Sequence, residues 1–518
     1  MMSCGNDCRF AFLIAGAILF VGTAAVGAAE PAWESLRHEP APWLLDAKFG
    51  IYMHWGVYCV PAYKGVWYGK GMYQPGSDFY KHHVETYGDP KDFPYDRFVP
   101  MFKAEKFDAN AWARLIKASG AQYAGMAVVH HDGFLLWASK INRWNAGNMG
   151  PKRDCYGEYV KALRAQGLKT IATFHHIRTF NWYLPDTGDF GGELSPKTAE
   201  IVKKNGWSLS DPNFNDLYWN ELAGGKYDDF LKEWQAEVRE VIDNYQPDVI
   251  WFDGGPFQTG ETQKYALSVL AHYQDSARKQ NKQVEVLNKL PTTMKFNFPR
   301  EYGVLTFEEG RDRPANMDRP WVDDMRIDDR GWCYVEGQQY KTANEVIDGI
   351  VDRAARGGGL LLNISPRPDG TVPDGQVKTL QGIGTWLNAN GEAIYATRPW
   401  KIAAEGDEKK LHYYKRWWHF DKCDGSDIRF TRSKDAARLY VVVLGWPEGG
   451  KLHVASLGDK TRLADGPIKS VTLLDGGKPA QWTRNAAGME ITMPEAAPQD
   501  QPAYAFRIDV EGKLDLGE

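Results

Sequence analysis

The run Val249-Ile-Trp-Phe252 constrains this chain more than any other stretch. It is short, apolar, β-branched and aromatic, and it is bracketed by Pro247 and by Gly254-Gly255-Pro256. Such a run with turn residues on both sides reads as a strand buried on both faces. Upstream, Phe230, Trp234, Val238 and Val241-Ile242 recur at helical spacing. Helix, turn, buried strand and glycine break is the grammar of an α/β barrel, where the carboxyl end of each strand opens onto the active site. Asp253 closes this strand. A carboxylate there is placed for chemistry, or else it caps the following loop through its own backbone.

The grammar repeats along the chain. Phe49–Met53 runs into His54, Tyr123–Val129 into His130-His131-Asp132-Gly133-Phe134, and Lys169–Phe174 into His175-His176. Residues 284–288, 303–307 and 360–364 read as later strands. Helices are expected over 107–120, with Asp108 as N-cap and Gly120 as stop, and over 156–166, Ala343–Ala355 and 377–390. Residues 57–73 form a loop dense in Trp and Tyr, and the polar, Gly-rich 186–213 reads as a loop over the barrel mouth. This alternation fits a (β/α)8-like TIM barrel, although eight clean units cannot be counted. Past residue 400 the pattern changes to short strands separated by turns, at 438–444, 451–455, 471–474 and 504–508. That spacing predicts a C-terminal β-sandwich. The expected layout is a leader over 1–29, a barrel over 30–400 and the sandwich over 401–518.

The leader is expected from Arg9, an apolar stretch from Phe10 to Val21 too short to span a bilayer, and Val26-Gly27-Ala28 at a small-residue cleavage position. Removal after Ala28 or Ala29 would give an exported protein, periplasmic or secreted, with no membrane segment. Cys4 and Cys8 leave with it. Cys59, Cys155, Cys333 and Cys423 remain, widely spaced and without a CxxC pair, so a zinc site of that kind is not expected. With a net charge of −5 and no basic stripe, nucleic acid is not an expected partner. The 20 Trp and 25 Tyr residues suit stacking on sugar rings as well as a large core.

His54, His130, His131, His175, His176 and Asp253 all fall at predicted strand ends. Two enzyme classes use polar barrel mouths of this kind. Histidines with a carboxylate bind metal for hydrolysis. Alternatively, two carboxyl groups flank a glycosidic bond while neutral polar groups grip the sugar. The metal reading wants a His-x-His pair on the first strand, where only His54 stands, followed by Trp55. Adjacent residues of an extended strand point to opposite sides, so His130 and His131 share a ligand only if the chain bends there. No metal or other cofactor is therefore expected.

Several motifs together make the chain recognisable. They are Ala47-Lys-Phe-Gly-Ile-Tyr-Met-His-Trp-Gly56, Trp67-Tyr68 with Met72-Tyr73, Phe107-Asp-Ala-Asn-Ala-Trp112, His130-His-Asp-Gly-Phe134, Trp251-Phe-Asp-Gly254, Leu360-Leu-Leu-Asn-Ile364 with Asp369-Gly370, and Asn390-Gly-Glu-Ala-Ile-Tyr395. In this order, across residues 33 to 400, the chain resembles the α-L-fucosidases of glycoside hydrolase family 29. The resemblance implies a retaining, exo-acting α-L-fucosidase working by double displacement on fucosylated glycans. It implies Asp253 as nucleophile, His54, His130 and His131 as ligands of the fucose hydroxyls, and Trp67 and Trp251 as ring-side aromatics. Tyr68, beside Trp67, and His175, at the third strand end, join the expected substrate-binding set.

The family's acid/base sits on a variable later segment. One version places a Glu in a Trp-Glu pair, where this chain has Trp321-Val322; the other uses Glu-x-Gly, matched by Glu308-Glu309-Gly310. Glu308 is the expected acid/base and Glu309 the second choice, only one of which can face the site. Asp323 and Asp324 are outside candidates for the same role, and each of these carboxylates reads otherwise as a solvated loop charge. Val66, Lys289 and His175 replace a usual Glu, Arg and Tyr-x-Ser motif of the family. These departures suit a modified sugar, sulfated fucose or L-galactose. A carbohydrate-binding barrel without turnover is the alternative outside enzymology.

Overall fold

The computed structural model describes residues 31–188, 194–290, 295–311, 317–411, 422–493 and 503–517. The expected leader lies outside them. Eight parallel strands close a barrel in sequence order: β1 Phe49–Met53, β2 Tyr123–Val129, β3 Lys169–Phe174, β4 Val249–Phe252, β5 Glu285–Lys289, β6 Val304–Glu308, β7 Trp321–Arg326 and β8 Gly358–Ile364. Closure comes from β1 against β8, Phe49 opposite Leu360 through Met53 opposite Ile364. The strands are buried almost throughout, which is why they read as unbroken apolar runs. Tyr123, Ile171, Val249, Leu287, Val304, Val322 and Leu361 pack together with Leu44 and Ala47 as one apolar cluster.

Strand β7 is the correction to the sequence reading. Trp-Val-Asp-Asp-Met-Arg is not an apolar run, and its carboxylates were expected on a solvated loop. Asp323 and Asp324 are instead buried inside the sheet. Asp323 Oδ2 accepts from Arg353 Nε at 3.0 Å and Nη2 at 2.7 Å, both partners being shielded from water. Among the described residues the β5–β6 and β6–β7 connections carry no helix, so the repeating unit fades there. The Arg353→Ala variant leaves the buried Asp323 carboxyl without its guanidinium partner, with only the Gly310 N–H donating to it among the described residues. It is expected to lose about 3–5 kcal/mol of stability, read as a lower unfolding midpoint in urea, and an Arg353→Leu/Asp323→Leu pair should recover most of the loss.

Residues 186–213 do not form a plain loop. Ser195 caps a helix over Pro196–Asn205, with Pro at its first position and Gly206 ending it in the left-handed region.

The C-terminal unit begins at β9 Arg398–Glu405, a few residues ahead of the expected boundary. It continues with β10 Ile428–Arg432, β11 Arg438–Val443, β12 Lys451–Val454, β13 Ile468–Leu473, β14 Lys478–Pro479, β15 Trp482–Asn485, β16 Gly488–Thr492 and β17 Tyr504–Val510. An antiparallel sheet ordered β14-β13-β17-β11-β10-β9 faces a smaller one ordered β12-β16-β15. Leu439, Val441, Val443, Phe506 and Ile508 share a core with Leu452, Val454, Met489 and Ile491. The alternate residues Tyr440, Val442 and Ala505 join the barrel's own core, so the larger sheet is covered on both sides. The barrel helix Ala343–Ala355 is buried from Val346 through Ala355, apolar and charged residues alike. On it, Asp352 accepts from Arg429 of β10 at 2.7 Å.

Candidate active site

The strand ends converge as the barrel geometry requires. Asp253 follows β4 directly, and Gly254 after it adopts φ +88°, in the region that favours glycine. A side chain on Gly254 would also collide with the Arg178 guanidinium. Around the Asp253 carboxylate stand Lys289, in hydrogen-bond contact with Oδ1, His175 Nδ1 at 3.2 Å, His131 Nε2 at 3.8 Å and Arg178 Nη1 at 3.9 Å from Oδ2. Burial alone would raise the Asp253 carboxyl, but Lys289, Arg178 and His175 outweigh it and hold the group well below the usual carboxylate range.

Lys289, the last residue of β5, is the hub of the site. Its ammonium touches Asp253 on one side and Glu308 Oε2 at 3.0 Å on the other, and it lies 5.0 Å over the Trp251 ring. One ammonium in contact with both carboxylates keeps them no more than about 5–6 Å apart, the spacing of a retaining pair. Burial would push Lys289 down, yet Asp253, Glu308 and Asp324 together raise it above its ordinary value. Burial raises Glu308 as well, but Lys289 and Arg311 reverse this, so the resting carboxyl is ionised.

Glu309 does not join this group. Its backbone turns at φ +53°, and its carboxylate accepts from Arg326 Nε at 2.9 Å. Asp324 does join it, from β7. Its Oδ2 accepts from Tyr52 Oη at 3.2 Å, while burial, followed by the charges of Glu308 and Asp323 against the pull of Lys289, holds it well above the usual carboxylate range. Asp324 is thus the most readily protonated carboxyl of the three.

The histidines come together because β2 ends at Val129. A register shift between Ala127 and Val129 and a turn from His130 O to Gly133 N bend the chain. His130 and His131 therefore face the same site, with rings 4.2 Å apart; His130 stacks on His175 at 4.8 Å and lies 5.4 Å from His54. His131 Nδ1 donates to the His175 carbonyl at 2.6 Å, which turns Nε2 toward Asp253. His54 Nδ1 donates to Asn363 Oδ1 at 2.8 Å. Burial, reinforced by His175, lowers His54 to about 3. Burial likewise leads the lowering of His130, His131 and His175, so all four rings are neutral near pH 7.

Trp67 lies 5.4 Å from the His131 ring, and Trp251 packs under the site against Tyr52 and His175. Tyr68 is turned away. Its hydroxyl bonds to His83 Nδ1 at 3.0 Å and its ring packs on Phe79 and Phe98, where it supports the aromatic loop. His176 also faces outward, to Glu237 at 3.2 Å. The sequence reading did not single out Arg178 or Trp332, which packs 5.6 Å from His54, and it held Asp324 only as an outside candidate. The mixed composition of β7 hid the strand that carries Asp324; Arg178 sits in a turn after β3 and gave no signal.

The family profile described as "Alpha-L-fucosidase" matches residues 20–392, and that described as "Alpha-L-fucosidase C-terminal domain" matches 422–509. The chain belongs to the alpha-L-fucosidase family. It is 29% identical over 497 residues to an alpha-L-fucosidase of Branchiostoma floridae, covering 93% of this chain and 96% of that one. It is 29% identical over 481 residues to the tissue alpha-L-fucosidase of Rattus norvegicus, covering 91% and 90%. The structure of a Thermotoga maritima alpha-fucosidase in complex with fucose superposes with a TM-score of 0.70 at 27% identity, over 92% of this chain and 99% of that one. Val322 lies in the apolar cluster of the barrel. Among the described residues no helix is long and apolar enough to cross a membrane.

Proposed function

We propose that this member of the family is a retaining, exo-acting α-L-fucosidase that removes terminal α-L-fucose from glycans through a covalent glycosyl-enzyme. The observation that carries the reading is the Asp253–Lys289–Glu308 bridge, which sets two carboxyl groups at double-displacement spacing. Asp253, ionised at any working pH, is the nucleophile at C1. Glu308, the more exposed partner, protonates the departing oxygen and then takes a proton from the attacking water. His54, His130, His131 and His175 offer neutral donors and acceptors to the sugar hydroxyls, with Trp67 beside the ring and Trp251 beneath it. A solved Thermotoga maritima relative, 27% identical, is in complex with a mechanism based inhibitor, in keeping with a covalent step. The expected leader places this activity in an exported protein.

Lys289, Arg178, Arg311 and Arg326 each face a carboxylate. That balance supports a neutral sugar over a sulfated one. Proton NMR of the first product from an aryl α-L-fucoside should show α-L-fucose, and turnover of a sulfated analogue should be far slower. An inverted anomer or a preference for the sulfated substrate overturns the reading.

The bridge also sets the pH profile. With Lys289 present, both carboxyls are held ionised, so the protonated Glu308 needed for catalysis is favoured only at low pH. In Lys289→Met the neighbouring Asp253 charge and burial act on Glu308 without the ammonium, so its pKa rises. The alkaline limb of kcat/KM is expected to move up by about 1–3 pH units, while Lys289→Arg keeps the parent profile.

A further inference from the structure

We propose that His54, His130 and His175 form a binding site for one divalent transition-metal ion of the imidazole-seeking kind, which occupies the place of the sugar and inhibits. The inference rests on the fucosidase reading only for the identity of the competitor. One ring nitrogen from each of the three lies within 4.8 Å of the others, and all three side chains are buried. Zn–N bonds of about 2.0–2.1 Å put three ligand nitrogens roughly 3.3 Å apart, so small ring movements close the set on an ion.

The surroundings are already those of a ligand shell. Asn363 Nδ2 donates to the Trp332 carbonyl at 2.7 Å, which fixes its Oδ1 as the acceptor for His54 Nδ1–H. The lone pair of His54 therefore lies on Nε2, the outer-shell device that orients metal-binding histidines. His130 Nδ1 is buried with no hydrogen-bond partner among the described residues. His175 reaches Asp253 at 3.2 Å, so a carboxylate, shared with Lys289 and Arg178, stands at the edge of the cluster. Neutral imidazoles in a closed, partly anionic cup select Zn²⁺, Ni²⁺, Co²⁺ or Cu²⁺ over Mg²⁺ or Ca²⁺, which prefer oxygen.

An ion here uses the nitrogens assigned to the sugar hydroxyls and ties His175 away from Asp253. It is an inhibitor competing with the sugar. The experiment uses the full chain, stripped with a chelator and dialysed against Co²⁺ or Zn²⁺. The expected result is one ion per chain by elemental analysis, visible d–d bands for Co²⁺, and progressive loss of both as L-fucose is added. His175→Phe should weaken Zn²⁺ binding at least about 10-fold. Should that variant fail to fold, displacement by L-fucose from the parent protein decides alone. Binding below one equivalent, binding indifferent to L-fucose, or unchanged affinity in a folded His175→Phe overturns the proposal. Hydrolysis of an aryl α-L-fucoside in chelator tests the enzymatic reading separately: turnover without stoichiometric ion removes the ion site alone, and ion without turnover removes the enzyme alone.

Discussion

The Asp253→Gly variant is expected to hydrolyse an activated aryl α-L-fucoside about 10⁴-fold or more slowly than the parent protein, and added azide is expected to restore turnover as a fucosyl azide. The loss follows from the position of the carboxylate. Asp253 follows β4, meets four cationic or imidazole groups and is ionised throughout the working pH range. Removing it takes away the attacking atom and the charge that stabilises the oxocarbenium-like transition state. The glycine leaves a space beside Lys289 and Arg178, both of which attract a small anion. Azide enters there, attacks from the vacated face and gives a product of inverted configuration. A binding protein with no turnover would show neither the loss nor the rescue. A metal-dependent hydrolase would lose activity in chelator, which the parent protein should not.

The Glu308→Ala variant should show the second largest effect, and one that depends on the leaving group. An oxygen that departs from a natural glycan needs a proton, so hydrolysis of a disaccharide is expected to fall about 10²–10⁴-fold. An aryl group that leaves as a stable phenolate needs little help, and its release should fall much less. Asp324→Asn is the companion measurement. Burial raises the Asp324 carboxyl, but the group is shielded from solvent and bonded to Tyr52, whereas Glu308 opposite it on β6 is partly exposed. If Asp324→Asn shows the leaving-group dependence and Glu308→Ala does not, the acid role passes to Asp324. Glu309→Gln should instead weaken the fold through Arg326 and leave the leaving-group dependence intact.

The parts legible in the sequence were those where one physical demand dominates. Strands β1 to β4 and β8 meet only burial, so apolar runs marked them, and the residue after each run marked the site. Strand β7 meets two demands at once. It must pair in the sheet and also carry Asp323 to Arg353 and Asp324 to the site, so its composition resembles a loop. The small-sheet strand β15 has only half-buried and exposed positions and β16 mixes buried with exposed ones, with charges in both, and their pattern was too weak to notice. The role of Lys289 was hidden for another reason: a lone lysine at a strand end has many uses, and only the fold brings it between two particular carboxylates. Tyr68 misled because its neighbour Trp67 faces the site, and on the short helix Tyr68–Gly71 the next side chain points elsewhere.

The helix wedged between barrel and sandwich makes the tail something other than an accessory. Its outer surface relies on β9 and β10 for cover, and Asp352 takes Arg429 of β10 as one guanidinium partner beside Arg356 and Arg353. A gene shortened to stop before Arg398 would yield a protein with an oily flank, prone to clump before it could be assayed. Engineers wishing to swap the glycan preference should graft loops at the mouth and leave the far end of the polypeptide intact.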